Sequence, residues 1–122
     1  MKDSVIIAKC MLEACEQIGI FAGTDFDLYI KDKKGQLAIE RCLEIIGQGK
    51  KDLDAAAVPD FLSMNFPTVD WKGLAGIRDK IAKAYHRTDQ QLIWSTIEKD
   101  IPLAKVALEE AVALLLRAYP QT

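Results

Sequence analysis

The sequence predicts an all-α protein, an antiparallel bundle of four main helices. Three observations carry this. Apolar residues recur at alternating steps of three and four through long stretches, the spacing of one helical face. Leu, Ile and Ala dominate a composition that is 50% hydrophobic but only 7% aromatic, which suits packed helices better than a β-sandwich. Gly23, Gly35, Pro59, Pro67, Asp70 and Asp89 fall between the periodic stretches, where such residues stop and start helices.

The first predicted helix runs from about Ser4 to Phe21, with Ile7, Met11, Ala14, Ile18 and Phe21 as its buried stripe. Asp3 or Ser4 caps its start and Gly23 follows its end. The stretch GTDFDLYIKDKKGQ reads as a short helical turn followed by a break at Gly35. The second main helix spans about Gln36 to Leu53, and Ile39, Cys42, Ile46, Gly49 and Leu53 keep the same rhythm. Gly47 and Gly49 each disfavour a helix by about 1 kcal/mol relative to Ala, so their presence predicts the close passage of another backbone. AAAVPDFLSMNFPTV is a connector broken by Pro59 and Pro67; its Phe61, Leu62, Met64 and Phe66 should pack down onto the bundle. Asp70 caps the third helix, with Leu74, Ile77, Ile81 and Ala84 on one face. Thr88 or Asp89 caps the fourth. Its stripe of Ile93, Ile97, Ile101, Ala104, Leu108, Val112 and Leu115 keeps phase across Pro102, which predicts one kinked helix rather than two. ALEEAVALLLRAY is apolar beyond one narrow face, a pattern that points to self-association.

A length of 122 residues fits one domain, residues 1–122, with a core of its own. A net charge of −2 supplies no global basic field, so any RNA contact must come from a local cluster. Cys10, Cys15 and Cys42 are too few and odd in number for a disulfide framework and read as reduced core thiols. One histidine and no Cys-x-x-Cys argue against a structural metal site. Charges at Lys2, Asp3, Lys9 and Glu13 interrupt any signal-peptide core, and no run of apolar residues is long enough to span a membrane, so the expected location is the cytoplasm.

One segment concentrates chemistry: GIRDKIAKAYHRTD, in which Arg78, Asp79, Lys83, Tyr85 and His86 fall within nine residues. Arg78 and Tyr85 are seven apart and lie within about 20° of each other on one helix face. Spacing alone does not set the segment apart. Asp79 followed by Lys83 is also the order of an ordinary i,i+4 surface pair, and His86–Arg87 is an ordinary basic helix end. No glycine-rich phosphate loop, paired-carboxylate motif or nucleophile elbow appears elsewhere in the chain.

The stretches LEIIGQGKKDL and DWKGLAGIRDKIAKAYHRTDQQLIWSTIEKDIPLAKVAL resemble the HepT-like branch of the HEPN superfamily. The matching residues are Arg41, Leu43, Ile45, Ile46 and Gly47, then Trp71, Gly76, Arg78, Asp79, Tyr85, Asp89, Trp94, Asp100 and Pro102. The resemblance implies a HEPN-like bundle that dimerises through the third and fourth helices, with both third helices lining a shared cleft. It implies a metal-independent RNase toxin that needs no cofactor and is often encoded beside a minimal nucleotidyltransferase antitoxin. In active members an Arg is followed, after four intervening residues, by a His and, after one more intervening residue, by a Tyr. The Arg binds phosphate, the His moves a proton as the 2′-OH attacks the phosphodiester, and in some members the partner enzyme silences the toxin by adding AMP to the Tyr.

Carried onto this sequence, the resemblance makes Arg78, Asp79 and Lys83 the catalytic candidates and Tyr85 the AMP acceptor. Lys83 stands where the family keeps histidine. A lysine ordinarily titrates at about 10.4, so near neutral pH it is a cation and a poor proton acceptor. It can hold a phosphate or donate a proton. As a base it would need a depression of about three pH units, and Asp79 one turn earlier opposes that. His86, three residues on, is the candidate substitute base. Three functions therefore stand open: an RNase toxin, active or weakened; a non-catalytic nucleotide- or RNA-binding partner subunit of a nucleotidyltransferase; and a purely structural bundle.

Overall fold

The computed structural model describes residues 2–56, 59–83 and 89–120, and the side chains of all of these except Lys2, Arg78, Ala82 and Lys83. Those residues form six helices: α1 (Lys2–Ala22), α2 (Phe26–Tyr29), α3 (Lys33–Ala56), α4 (Phe61–Asn65), α5 (Trp71–Lys83) and α6 (Gln90–Ala118). The four long ones are the predicted bundle. No strand occurs among the described residues.

In α1 the buried stripe is Val5, Ala8, Met11, Cys15 and Ile18, closing on Ala22. Phe21, expected inside, is 43% exposed. The helix runs one residue further than its apolar pattern suggests, and Ala22 takes the inward position at its end. Gly23 then adopts φ +64, the left-handed conformation that ends helices at low steric cost. Cys15 and Cys42 are buried as expected, but Cys10 is exposed, because a step of five from Cys15 turns it to another face.

The break predicted at Gly35 lies earlier. The Asp32 carboxylate accepts the Gly35 N–H at 3.0 Å and the Asp32 carbonyl accepts the Gln36 N–H at 3.0 Å, so Asp32 caps α3 and Gly35 lies inside its first turn. Gly49 is buried where α1 crosses, but the close neighbour is a side chain rather than a backbone: a Cβ there would sit 2.5 Å from Met11 Cγ. Of the connector's apolar residues, Leu62 and Phe66 pack into the core, while Met64 is 72% exposed.

α6 begins at Asp89, whose carboxylate accepts the N–H groups of Gln91 and Leu92 at 3.1 Å. It continues unbroken through Pro102, and Ile93, Ile97, Ile101, Ala104, Leu108 and Leu115 are buried along it as predicted. Pro102 is tolerated because it lies on the solvent side, where the carbonyl it leaves unpaired can meet water. Thr88 and Ala84, the other residues expected at the ends of these helices, lie outside the described residues. α3 is the hub, packing against α1 on one side and α5 on another, while α6 lies on α1. No helix of the described residues is long and apolar enough to cross a membrane.

Candidate nucleic-acid site

The segment singled out in the sequence begins within α5, and its residues 84–88 lie outside the described residues. The start of α5 is fixed twice. Asp70 caps it, its carboxylate accepting the Gly73 N–H at 2.9 Å and its carbonyl the Leu74 N–H at 3.0 Å. Trp71, 2% exposed, donates its indole N–H to the Phe66 carbonyl at 3.1 Å, which locks the helix to the end of the connector. Leu74 and Ile77 are then buried and Ile81 is partly covered, so α5 is seated on α3 by its apolar stripe.

That seating brings α3 to the candidate site. Lys51 Nζ lies 3.7 Å from Asp79 Oδ1, with the two side chains 46% and 49% exposed. The contact joins residues 28 apart in sequence, so local i,i+4 reasoning, which pairs Asp79 with Lys83, does not find it. Its neighbour Lys50 is tied more tightly within α3, Nζ to Asp54 Oδ2 at 2.7 Å, with side chains 20% and 22% exposed. Arg78 and Lys83 belong to α5 by their backbone, Lys83 one turn beyond Asp79; their side chains lie outside the described residues. Tyr85 and His86, the expected AMP acceptor and substitute base, lie outside them too.

α6 resumes next to this segment and is anchored by a second group the sequence did not reveal. Phe26, Tyr29 and Trp94 form an aromatic cluster, the Tyr29 and Trp94 rings 5.0 Å apart and Phe26 edge-on to Trp94 at 5.6 Å. The Tyr29 hydroxyl donates to Gln90 Oε1, at the first residue of α6. Burial, and secondarily the Glu40 carboxylate, push the Tyr29 hydroxyl up to about 12. Further along, burial raises the Asp100 carboxyl, with Asp70 adding to the effect and Lys99 opposing it.

Arg41, which belongs to the same sequence resemblance, is elsewhere. It pairs with Glu44 at 3.4 Å on the rim of a groove of about 320 Å³ between α1 and α3, floored by Met11 and Ile45. No residue of α5 lines that groove. Among the described residues no group of three or more His, Cys, Asp or Glu gathers to hold a metal ion.

A Ribonuclease HepT-like family model matches residues 11–111, which spans the bundle and the α5 segment together. The chain belongs to the HepT-like family of the HEPN superfamily. It is 35% identical to a protein named a probable ribonuclease HepT from Thermococcus cleftensis, over 70% of this chain and 73% of that one. It is 37% identical to a candidate RNase of Methanocaldococcus jannaschii, over 71% of this chain and 68% of the other. With a candidate RNase of Caldanaerobacter subterraneus the identity is 35%, over 82% and 86% of the two chains. No solved structure matches the chain. The HepT-like bundle and an RNase-related ancestry are thus established together, and the Arg78–Asp79 turn of α5 is part of the matched span.

Proposed function

We propose that this HepT-like chain is the RNase-type toxin of a toxin–antitoxin pair, acting on RNA in the cytoplasm as a homodimer or even-numbered assembly, with cleavage slowed by Lys83. The observation that carries this reading is the family match across residues 11–111; the sequence resemblance sets Arg78 and Tyr85 against the Arg and Tyr of metal-independent RNases, with Asp79 suiting the polar position after the Arg. Arg78 binds the scissile phosphate, since a guanidinium offers two parallel donors and holds its charge at any physiological pH. Lys83 contributes a second cation or a proton to the leaving group. What it supplies poorly is the acceptor for the 2′-OH proton. A minimal nucleotidyltransferase is the partner antitoxin, and Tyr85 is the residue it modifies: the Tyr85 oxygen attacks the α-phosphate of ATP, its proton is lost, and pyrophosphate leaves. Intact-mass spectrometry of wild type and Tyr85→Phe treated with that enzyme checks the site; addition to both, or to neither, counts against it.

Cleavage of RNA by wild type and Lys83→His is the deciding measurement. The histidine variant should be faster by at least about 100-fold, the scale of one general acid–base contribution. If wild type is as fast and His86→Ala abolishes cleavage, the base has moved to His86. The lysine itself favours a second reading, a non-catalytic RNA- or nucleotide-binding subunit of the nucleotidyltransferase. Cleavage by neither protein, with RNA still bound through Arg78, would establish it.

A further inference from the structure

We propose that Lys51, at the end of α3, is a second phosphate-binding residue of the α5 site and extends its RNA contact onto the neighbouring helix. The inference rests on the reading of Arg78 as an RNA phosphate ligand. Its basis is the cross-helix contact: Lys51 Nζ is 3.7 Å from Asp79 Oδ1, and Asp79 directly follows Arg78 in α5. The α3 ammonium therefore stands beside the turn of α5 whose backbone includes residue 78.

The geometry leaves Lys51 able to bind. A separation of 3.7 Å is beyond hydrogen-bond length, and both side chains are about half exposed, so the pair is held by screened attraction and rearranges easily. An ammonium has three donors, so Lys51 can keep one near Asp79 and give the others to a phosphate. Asp79 biases the flexible lysine toward α5 rather than toward solvent. Lys50 differs in each respect. It is 2.7 Å from Asp54 and largely covered, so its charge is answered within its own helix. Of the two adjacent lysines, the packing of α3 on α5 presents Lys51 to the site.

The test is RNA binding by the full-length protein, measured by fluorescence anisotropy with a labelled single-stranded RNA oligonucleotide at several salt concentrations. Lys51→Ala should weaken binding about three- to ten-fold and lower the slope of log Kd against log salt by about 0.7, the signature of one lost phosphate contact on a single strand. Lys51→Arg should restore the slope, because it restores the charge. Lys34→Ala, at the far end of α3, should change neither. Alanine is the strongest helix former and Lys51 is a surface residue, so the fold is not at risk. Unchanged affinity and slope in Lys51→Ala, with both reduced in Arg78→Ala, would overturn the role of Lys51 alone. An effect of Lys51→Ala without one of Arg78→Ala would place the lysine in a separate contact and overturn its membership of this site. Absence of RNA binding by wild type would overturn this proposal and the Arg78 reading together.

Discussion

Tyr29 carries more of the fold than its place in a four-residue helix suggests. It is 2% exposed, packs against Phe26 and Trp94, and its hydroxyl ties α2 to Gln90 at the start of α6. Its pKa is raised to about 12 from an ordinary value of 10.0, so the folded protein favours the neutral phenol. A phenol harder to ionise in the native state contributes stability that is fully present below the unfolded pKa and lost as pH rises through the folded one. Between pH 10.0 and about 12 the protein should therefore lose stability through this residue, because a buried phenolate is poorly solvated and lies near the Glu40 carboxylate. Phenolate absorbance in an alkaline titration should show a late-ionising tyrosine that Tyr29→Phe removes. The same variant should lose about 1 kcal/mol at neutral pH, the net worth of one hydrogen bond. A titration unchanged by Tyr29→Phe would show that the late phase belongs to another residue. Asp100 has the same sign of shift at the acid end, where burial and Asp70 both disfavour its charge.

At the scale of elements, the crossing of α1 and α3 turns on Gly49. A Cβ there would lie 2.5 Å from Met11 Cγ and 2.8 Å from its sulfur, and Met11 is fully buried. Two effects of opposite sign compete in Gly49→Ala. Helix propensity favours alanine by about 1 kcal/mol, while overpacking costs typically about 1–3 kcal/mol. Met11 is enclosed and has little room to give, so the overpacking should win and Gly49→Ala should lower the melting temperature. In a Met11→Ala background the obstruction is gone and the same change should raise it. Destabilisation of equal size in both backgrounds would mean that Met11 is not the obstruction. Elements of this kind were partly legible in the sequence. The stripe of α6 from Ile93 to Leu115 was readable in full, because a long helix repeats its period often enough to fix its phase across Pro102. Phe21 and Met64 were misplaced because a helix end and a short connector offer too few turns to set a phase. The site divides the same way. Arg78 and Asp79 were legible as a local motif on one helix, whereas Lys51 beside Asp79 and Tyr29 on Gln90 join distant parts of the chain and emerge only from packing.

The whole molecule is organised around α3, and that leaves α6 with an outer face of its own. α6 lies on α1 and, among the described residues, touches α5 only slightly. The apolar excess expected near the end of α6 is largely covered: Leu115 is buried, and Val112, Leu114 and Leu116 pack against the core. The exposed large apolar residues of α6 lie earlier: Leu92 in its first turn, then Leu103 at 50% and Val106 at 57%, the latter two three apart and so on neighbouring positions of one face. Pro102 precedes them on the same solvent side. A proposed two-fold assembly through α5 and α6 would bury this strip against its own copy, since an isologous interface uses one patch twice. It would also bring two Arg78–Asp79 turns toward a common cleft. Light scattering at micromolar concentration should therefore give a dimer or a larger even-numbered species. Leu103→Glu with Val106→Glu should dissociate it, because like charges would face each other across the axis, while the helical circular-dichroism signal stays intact. A wild-type monomer would overturn the shared-cleft reading of the site. An assembly that survives the double substitution would keep the dimer but move its interface off α6, and the Arg78 turns would then have to be brought together by α5 alone.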